Sequence, residues 1–340
     1  MSLVLDRVAE KRPAIGTMPA LSIESLAVTV DNGSGPIELI ADVSLTVAPG
    51  ECLGVVGESG CGKTVTFLAA LGLMPSSARI EGAVRIGGEN LLGRREKQLE
   101  VIRGRRIGMI FQDPQSALNP VRTIGRQLCE PLERQMGLSR KAAHARAIEL
   151  LMLVGIPAPE ERMNAYPHQI SGGMCQRVMI AMALAVEPEV LIADEPTTAL
   201  DATVQLQVLD LLKSIQKRTG LALVLITHDL GVVAEVCDRV TVMYAGRTVE
   251  AQPIPRAFDA PLHPYTDALI RCLPVLGAEK QPPAFIAGEV PMPGHLPGGC
   301  PFHPRCLRAT QLCASERPRP RRLDNGSMVA CHHSLEGLAS

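Results

Sequence analysis

Gly57-Glu58-Ser59-Gly60-Cys61-Gly62-Lys63-Thr64 reads G-x-x-x-x-G-K-T, the spacing of a phosphate-cradling loop. The run before it, Glu51-Cys52-Leu53-Gly54-Val55-Val56, is apolar and short enough for a buried strand. The run after it, Val65-Thr66-Phe67-Leu68-Ala69-Ala70-Leu71, suits a helix. Strand, glycine-rich loop and helix are the setting this chemistry needs. Glycines let the backbone approach an anion closely, and the loop amides with the helix N-terminus supply partial positive charge. In such a loop Lys63 reaches the β- and γ-phosphates and the Thr64 hydroxyl binds Mg²⁺.

The 340 residues suggest about two domains with ample core. Charge is nearly balanced, 34 Lys and Arg against 35 Asp and Glu, which argues against bulk electrostatic binding of nucleic acid. No apolar run approaches the roughly 18 residues of a membrane span. Residues 1–19 carry Asp6, Arg7, Glu10, Lys11 and Arg12 and lack the ordered regions of a signal peptide, so a loose extension on a cytoplasmic chain is expected. Ten cysteines are then not a disulfide framework.

Outward from the loop, 21–30 and 37–47 read as strands around a Gly/Asn/Ser turn, and 80–86 as a further hairpin arm. Residues 105–111 form a strand ending at Gln112, followed by a turn-rich stretch. The pattern then becomes helical, with Thr123 capping 124–136 around a kink or break at Pro131, and Ser139 capping 140–154. Ile170-Ser171-Gly172-Gly173 precedes a helix read over 178–185; it is a second anion site or simply a helix cap. Val190-Leu191-Ile192-Ala193-Asp194-Glu195 is an apolar strand ending in two carboxylates, in which Asp194 holds Mg²⁺ and Glu195 faces an attacking water. Asp201 opens a helix over 203–219 that Gly220 closes. His228 follows the strand 221–226, on the ligand edge if that strand is parallel to its neighbour. Residues 239–250 read as a hairpin turning at Ala245-Gly246.

Taken in order, the phosphate loop, Gln112, Ile170-Ser171-Gly172-Gly173, Asp194-Glu195, Asp201 and His228 resemble the ATP-binding cassette family over about residues 21–250. Phe111-Gln112-Asp113-Pro114, Tyr166-Pro167-His168-Gln169 and His263-Pro264-Tyr265-Thr266 are similar to dipeptide/oligopeptide importer ATPases. The resemblance implies an α/β fold: a P-loop NTPase cassette with an antiparallel β subdomain and a helical subdomain at about 115–185. Its boundaries would be a flexible extension at 1–20, the cassette at 21–255 and a loop-rich C-terminal extension at 256–340.

The resemblance also implies a mechanism. Two cassettes dimerise head to tail around two ATP molecules with Mg²⁺. Glu195 would be the base, His228 the γ-phosphate switch, and Gln112 a Mg²⁺ and water sensor coupled to the membrane partner. Ser171, Gly172 and Gly173 would touch the partner's γ-phosphate, and Asp201 would make a cross-dimer contact. Partners would be two transmembrane permeases, a second ATPase subunit and an extracytoplasmic solute-binding protein, with the chain peripheral on the cytoplasmic face of the inner membrane. Two departures stand out. Val30 lies where the family usually has an adenine-stacking aromatic, and Cys175 replaces a more usual polar residue.

The segment 251–340 is rich in Pro and Arg and holds Cys300, Cys306, Cys313 and Cys331. A loop-rich segment of this size needs a staple. Four thiolates suit an iron–sulfur cluster or zinc, with His303, His332 and His333 as further zinc ligands, and free thiols are the third reading. The resemblance implies a [4Fe–4S] cluster. Two other functions compete: a soluble cassette ATPase acting on ribosomes or DNA, and an iron–sulfur redox protein with a vestigial ATPase. The first generally carries tandem cassettes or a basic linker, neither visible here. Against the second, every catalytic motif is present.

Overall fold

The computed structural model describes residues 18–31, 33, 35–198, 201–273 and 285–336. Residues 1–17 of the expected N-terminal extension, and Ala199 and Leu200 before Asp201, lie outside the described residues. In chain order the strands are β1 (Leu21–Asp31), β2 (Pro36–Val47), β3 (Cys52–Val56), β4 (Arg79–Ile86), β5 (Glu89–Asn90) and β6 (Ile107–Ile110). They continue as β7 (Val190–Asp194), β8 (Ala222–Thr227), β9 (Arg239–Tyr244), β10 (Arg247–Pro253), β11 (Arg321–Arg322) and β12 (Met328–Val329). The chain forms two compact units.

The first unit takes Met1–Leu21, Val47–Glu51 and Ile86–Val224. Its β6 and β7 pair in parallel, Ile107 opposite Val190 through Ile110 opposite Ala193. β7 is buried at all five positions, which explains why its sequence is continuously apolar rather than alternating. Gly108 lets β6 lie close against the helix Gly172–Leu184, since a Cβ there would stand 2.7 Å from the Ala183 carbonyl oxygen. The helices Ile124–Arg134 and Arg140–Leu153 begin at the expected caps, Thr123 and Ser139. Each cap oxygen accepts from the third amide on, satisfying one of the orphan donors of a helix start.

Three expectations need correction in this unit. The strand expected at 105–111 is shorter, Ile107–Ile110, because the amides of Arg105 and Arg106 turn back to the Ile102 carbonyl oxygen (3.2 and 2.8 Å) at the end of the preceding helix. Pro131 does not break its helix, which runs on to Arg134 although the proline removes the amide that would donate to the Gln127 carbonyl oxygen. The helix after Ile170-Ser171-Gly172-Gly173, called the signature helix below, begins at Gly172, not near 178, because the Ser171 hydroxyl caps Met174 and draws both glycines into the first turn.

The second unit takes Ser22–Thr46, Cys52–Arg85 and Leu225–Ser340. In it β2, β1 and β4 lie side by side. β3 pairs in parallel with β9, Leu53 opposite Arg239 through Val56 opposite Val242. β9 and β10 form the expected hairpin at Ala245-Gly246. The far end was not foreseen: β12 pairs antiparallel with β10, Glu250 opposite Val329, and β11 pairs with β12. The Pro- and Arg-rich segment therefore contributes strands to the same unit as the phosphate loop. Glu250 is fully buried there, and its carboxylate accepts the amides of Leu262 (3.1 Å) and His263 (2.7 Å) just before the helix Pro264–Arg271. Burial pushes its pKa up, opposed by those bonds.

Candidate functional site

In the second unit, residues 57–62 form a tight turn that delivers Lys63 and Thr64 to the first turn of the helix Lys63–Ala70. A Cβ on Gly57 would stand 2.3 Å from the Met243 carbonyl oxygen, so glycine is needed for close passage by β9. Gly62 has φ 100°, which L residues avoid. No side chain caps this helix start, so its first-turn amides keep the arrangement that suits a phosphate. Lys63 is nearly buried, and its ammonium donates to the carbonyl oxygens of Gly57 (2.7 Å) and Glu58 (3.1 Å). Thr64 is exposed, while Cys61 is buried and its thiol is pushed up by burial, which keeps it inert beside the loop. These residues fit an ATP phosphate chain and its Mg²⁺. His228 is exposed at the end of β8, just before the helix Leu230–Val236, which Asp229 caps. Val30 is half-buried near the end of β1.

In the first unit, β7 ends at the buried Asp194, and Glu195 follows with φ 45°. A non-glycine residue in that left-handed region costs about 1–2 kcal/mol, so neighbouring contacts must hold it. The Gln112 amide donates to Glu195 Oε2 at 2.9 Å, and the Thr198 hydroxyl donates to the same oxygen at 2.8 Å. The structure thus joins two sequence-predicted residues 83 positions apart and adds Thr198, whose only sequence signal was a hydroxyl just past the strand. Ser171 is exposed, and Arg177 on the signature helix donates to the Val154 carbonyl oxygen (2.7 Å) and to Gln207 (2.7 Å). Cys175 faces inward and contacts the Pro167 carbonyl oxygen at 3.5 Å, so its unusual identity concerns packing. Asp201 caps the helix Ala202–Thr219 through the amides of Thr203 and Val204.

All ten cysteines are free thiols. The four in the tail do gather: Cys300 donates its amide to the Cys313 carbonyl oxygen (2.8 Å), and the Cys331 thiol senses Cys300, Cys306 and Cys313. Burial is the main cause that pushes Cys331 up to about 11, and it also raises Cys300 and Cys306. Among the described residues, no group of three or more His, Cys, Asp or Glu is placed to hold a metal ion. The structure therefore gives the expected cluster no support. Among the described residues no helix is long and apolar enough to cross a membrane.

Residues 40–198 match the ABC transporter family, and residues 249–313 match the oligopeptide/dipeptide transporter C-terminal region. The chain is 44% identical to the dipeptide transport ATP-binding protein DppD of Escherichia coli (strain K12), over 94% of this chain and 98% of that one. It is 43% identical to the oligopeptide transport ATP-binding protein OppD of Salmonella typhimurium, over 94% of this chain and 95% of that one. Among solved structures it is similar to a dimeric post-hydrolysis ATP-binding cassette bound to ADP and Pi. That match has TM-score 0.62 and 29% identity, covering 69% of this chain and 98% of that one. None of these relatives favours a ribosome, DNA or redox role.

Proposed function

We propose, from the premise that this chain belongs to the ATP-binding cassette family and is an ATPase of its dipeptide/oligopeptide transporter branch, that it energises a membrane importer of short peptides. The observation that carries the reading is the Gln112–Glu195 pair, a carboxylate aimed by a strained backbone and oriented by an amide. When bound, Mg²⁺ neutralises developing charge on the β- and γ-phosphate oxygens. Lys63 and the amides of residues 57–64 hold the phosphates. Thr64 and Asp194 would hold the ion, and Glu195 takes the proton of the attacking water. Gln112 and Thr198 keep the Glu195 carboxylate in one orientation. Such catalysis is positioning plus charge stabilisation.

Ser171, Gly172 and Gly173 in this reading close over the nucleotide of a second cassette, with Asp201 and His228 in supporting roles. A Cβ on Gly172 would meet nothing within 4 Å, which supports a place kept open for a partner. A groove of about 490 Å³, lined by Phe111, Leu118, Met179 and Met182 together with Arg122 and Glu130, suits an amphipathic permease segment. Two permeases, a second ATPase subunit and an extracytoplasmic binding protein complete the assembly, at the cytoplasmic face of the membrane. Selection of the cargo belongs to those partners. The [4Fe–4S] cluster rests on the sequence resemblance alone; iron and labile sulfide in anaerobically purified protein decide it.

The test is a Glu195→Gln chain. Hydrolysis falls by about 10³-fold, the usual weight of a general base, while ATP binding persists. With ATP and Mg²⁺ the tagged variant retains two polytopic membrane proteins and a second ATPase from solubilised membranes. Recovery of ribosomes or DNA-processing proteins without a membrane partner overturns the importer reading.

A further inference from the structure

Glu58, the second residue of the phosphate loop, is gripped from outside the loop by the C-terminal segment. Its amide donates to the Tyr265 hydroxyl at 2.9 Å. Its carboxylate receives both arms of Arg305, Nη1 to Oε2 at 2.7 Å and Nη2 to Oε1 at 2.9 Å. The Arg305 side chain is only 4% exposed, against 30% for Glu58. The remaining Arg305 donors go to the carbonyl oxygens of Ala287 (2.9 Å) and Ile286 (3.2 Å) and to the Tyr244 hydroxyl (3.3 Å). All five guanidinium protons are thereby directed, a geometry that a lysine ammonium cannot reproduce. The Glu58 carboxylate is the first cause holding the Arg305 guanidinium in its charged form.

The platform beneath this grip is aromatic. The chain has three tyrosines, five phenylalanines and no tryptophan, yet Tyr244, Tyr265 and Phe302 pack together. Tyr244 is edge-on to Tyr265 at 4.7 Å and to Phe302 at 5.2 Å. Phe302 and Arg305 both lie between Cys300 and Cys306. The four-cysteine segment therefore supplies both the platform and the clamp.

Lys63 explains why the grip matters. On the inner side of the loop its ammonium holds the carbonyl oxygens of Gly57 and Glu58. A lysine that turns to phosphate gives those contacts up, and the outer contacts through Tyr265 and Arg305 remain to keep the turn in shape. We propose that Arg305, with Tyr265, is a positioning residue for the phosphate loop, through which the four-cysteine segment sets the chain's affinity for ATP. The proposal rests on the reading of residues 57–64 as the phosphate loop.

The experiment measures the ATP dissociation constant, the KM and kcat of hydrolysis, and the melting temperature of the purified full chain. Arg305→Ala is expected to raise the dissociation constant and KM about tenfold, equivalent to about 1.4 kcal/mol, with kcat nearly unchanged. Arg305→Lys recovers part of the loss, and Tyr265→Phe shows a smaller rise. Glu58→Gln with Arg305→Ala is no worse than either alone, as expected for two ends of one interaction. Affinity unchanged within twofold while the melting temperature falls would overturn the proposal and leave only a structural ion pair. If Arg305→Ala does not fold, Glu58→Gln alters one atom of a partly exposed side chain and carries the same test. Lys63→Ala is the control: ATP binding lost confirms the loop, whereas normal binding removes the loop reading itself and the proposal with it.

Discussion

At the phosphate loop, a Cβ on Gly57 would stand 2.3 Å from the Met243 carbonyl oxygen, and Gly62 enters the helix at φ 100° with no side-chain cap. At the signature turn, Ser171 caps Met174, and Gly172 and Gly173 lie in the first turn of an ordinary helix. A Cβ on Gly172 would touch nothing within 4 Å, and one on Gly173 would approach Val204 to 3.1 Å. Two glycine-rich helix entries in one chain thus use glycine differently. The first needs it to fold. The second does not, which fits the proposed contact of Gly172 with a second cassette.

Ranked by effect on stability, the sharpest break is Gly57→Ala. Pushing a methyl against a backbone oxygen costs about 3 kcal/mol, read as a lower denaturant midpoint together with loss of ATP binding. A fold as stable as wild type would end the contrast at its strong end.

The second prediction uses pH. His263 is wholly buried, and burial alone lowers its pKa from 6.5 to about 3. Its Nδ1 accepts the Tyr265 amide at 3.0 Å, so it stands behind the hydroxyl that holds Glu58. Because the folded value is the lower one, this contribution to stability is full above pH 6.5 and is lost as pH falls toward 3. Between pH 7 and pH 5 the wild type loses about 2 kcal/mol that His263→Asn, which keeps a capping acceptor, does not lose. Equal acid sensitivity in melts of the two proteins counts against the assignment.

Third comes Ser171→Ala, which removes the cap of the signature helix for about 1 kcal/mol. Smallest is Gly172→Ala, which changes stability by no more than about 0.5 kcal/mol. In the assembled transporter, however, it lowers ATP hydrolysis by about 100-fold, the scale of a misplacement near 1 Å. If Gly172→Ala leaves transport intact, the reading of an intermolecular role for this turn is lost.

Much of this was legible in the chain because the signals were local. The phosphate loop carries its fold in eight consecutive residues, and β7 announces itself as an apolar run ending in carboxylates. Caps at Thr123, Ser139 and Asp201 are single residues before a periodic stretch. The Gln112–Glu195 pair was anticipated as two separate roles, and only the fold gives the contact. What escaped depends on distance along the chain. Tyr265 was visible only as part of a subfamily motif and Arg305 only as one arginine of a Pro- and Arg-rich segment, and nothing local ties either to Glu58. β11 and β12 are two residues long, too short for any period, and exist because β10 offers them an edge. The helix start at Gly172 was missed because paired glycines read as loop, whereas the Ser171 hydroxyl accepts the Met174 amide and sets the start ahead of them.

The Glu58–Arg305 contact spans 247 residues of sequence. At the usual rates of synthesis, the arginine is made on the order of tens of seconds after the glutamate. Throughout that interval the nascent chain carries its nucleotide loop without its outer clasp. A part translated late thus completes a motif made early, and a chain interrupted before Arg305 leaves the ribosome with the loop unclasped.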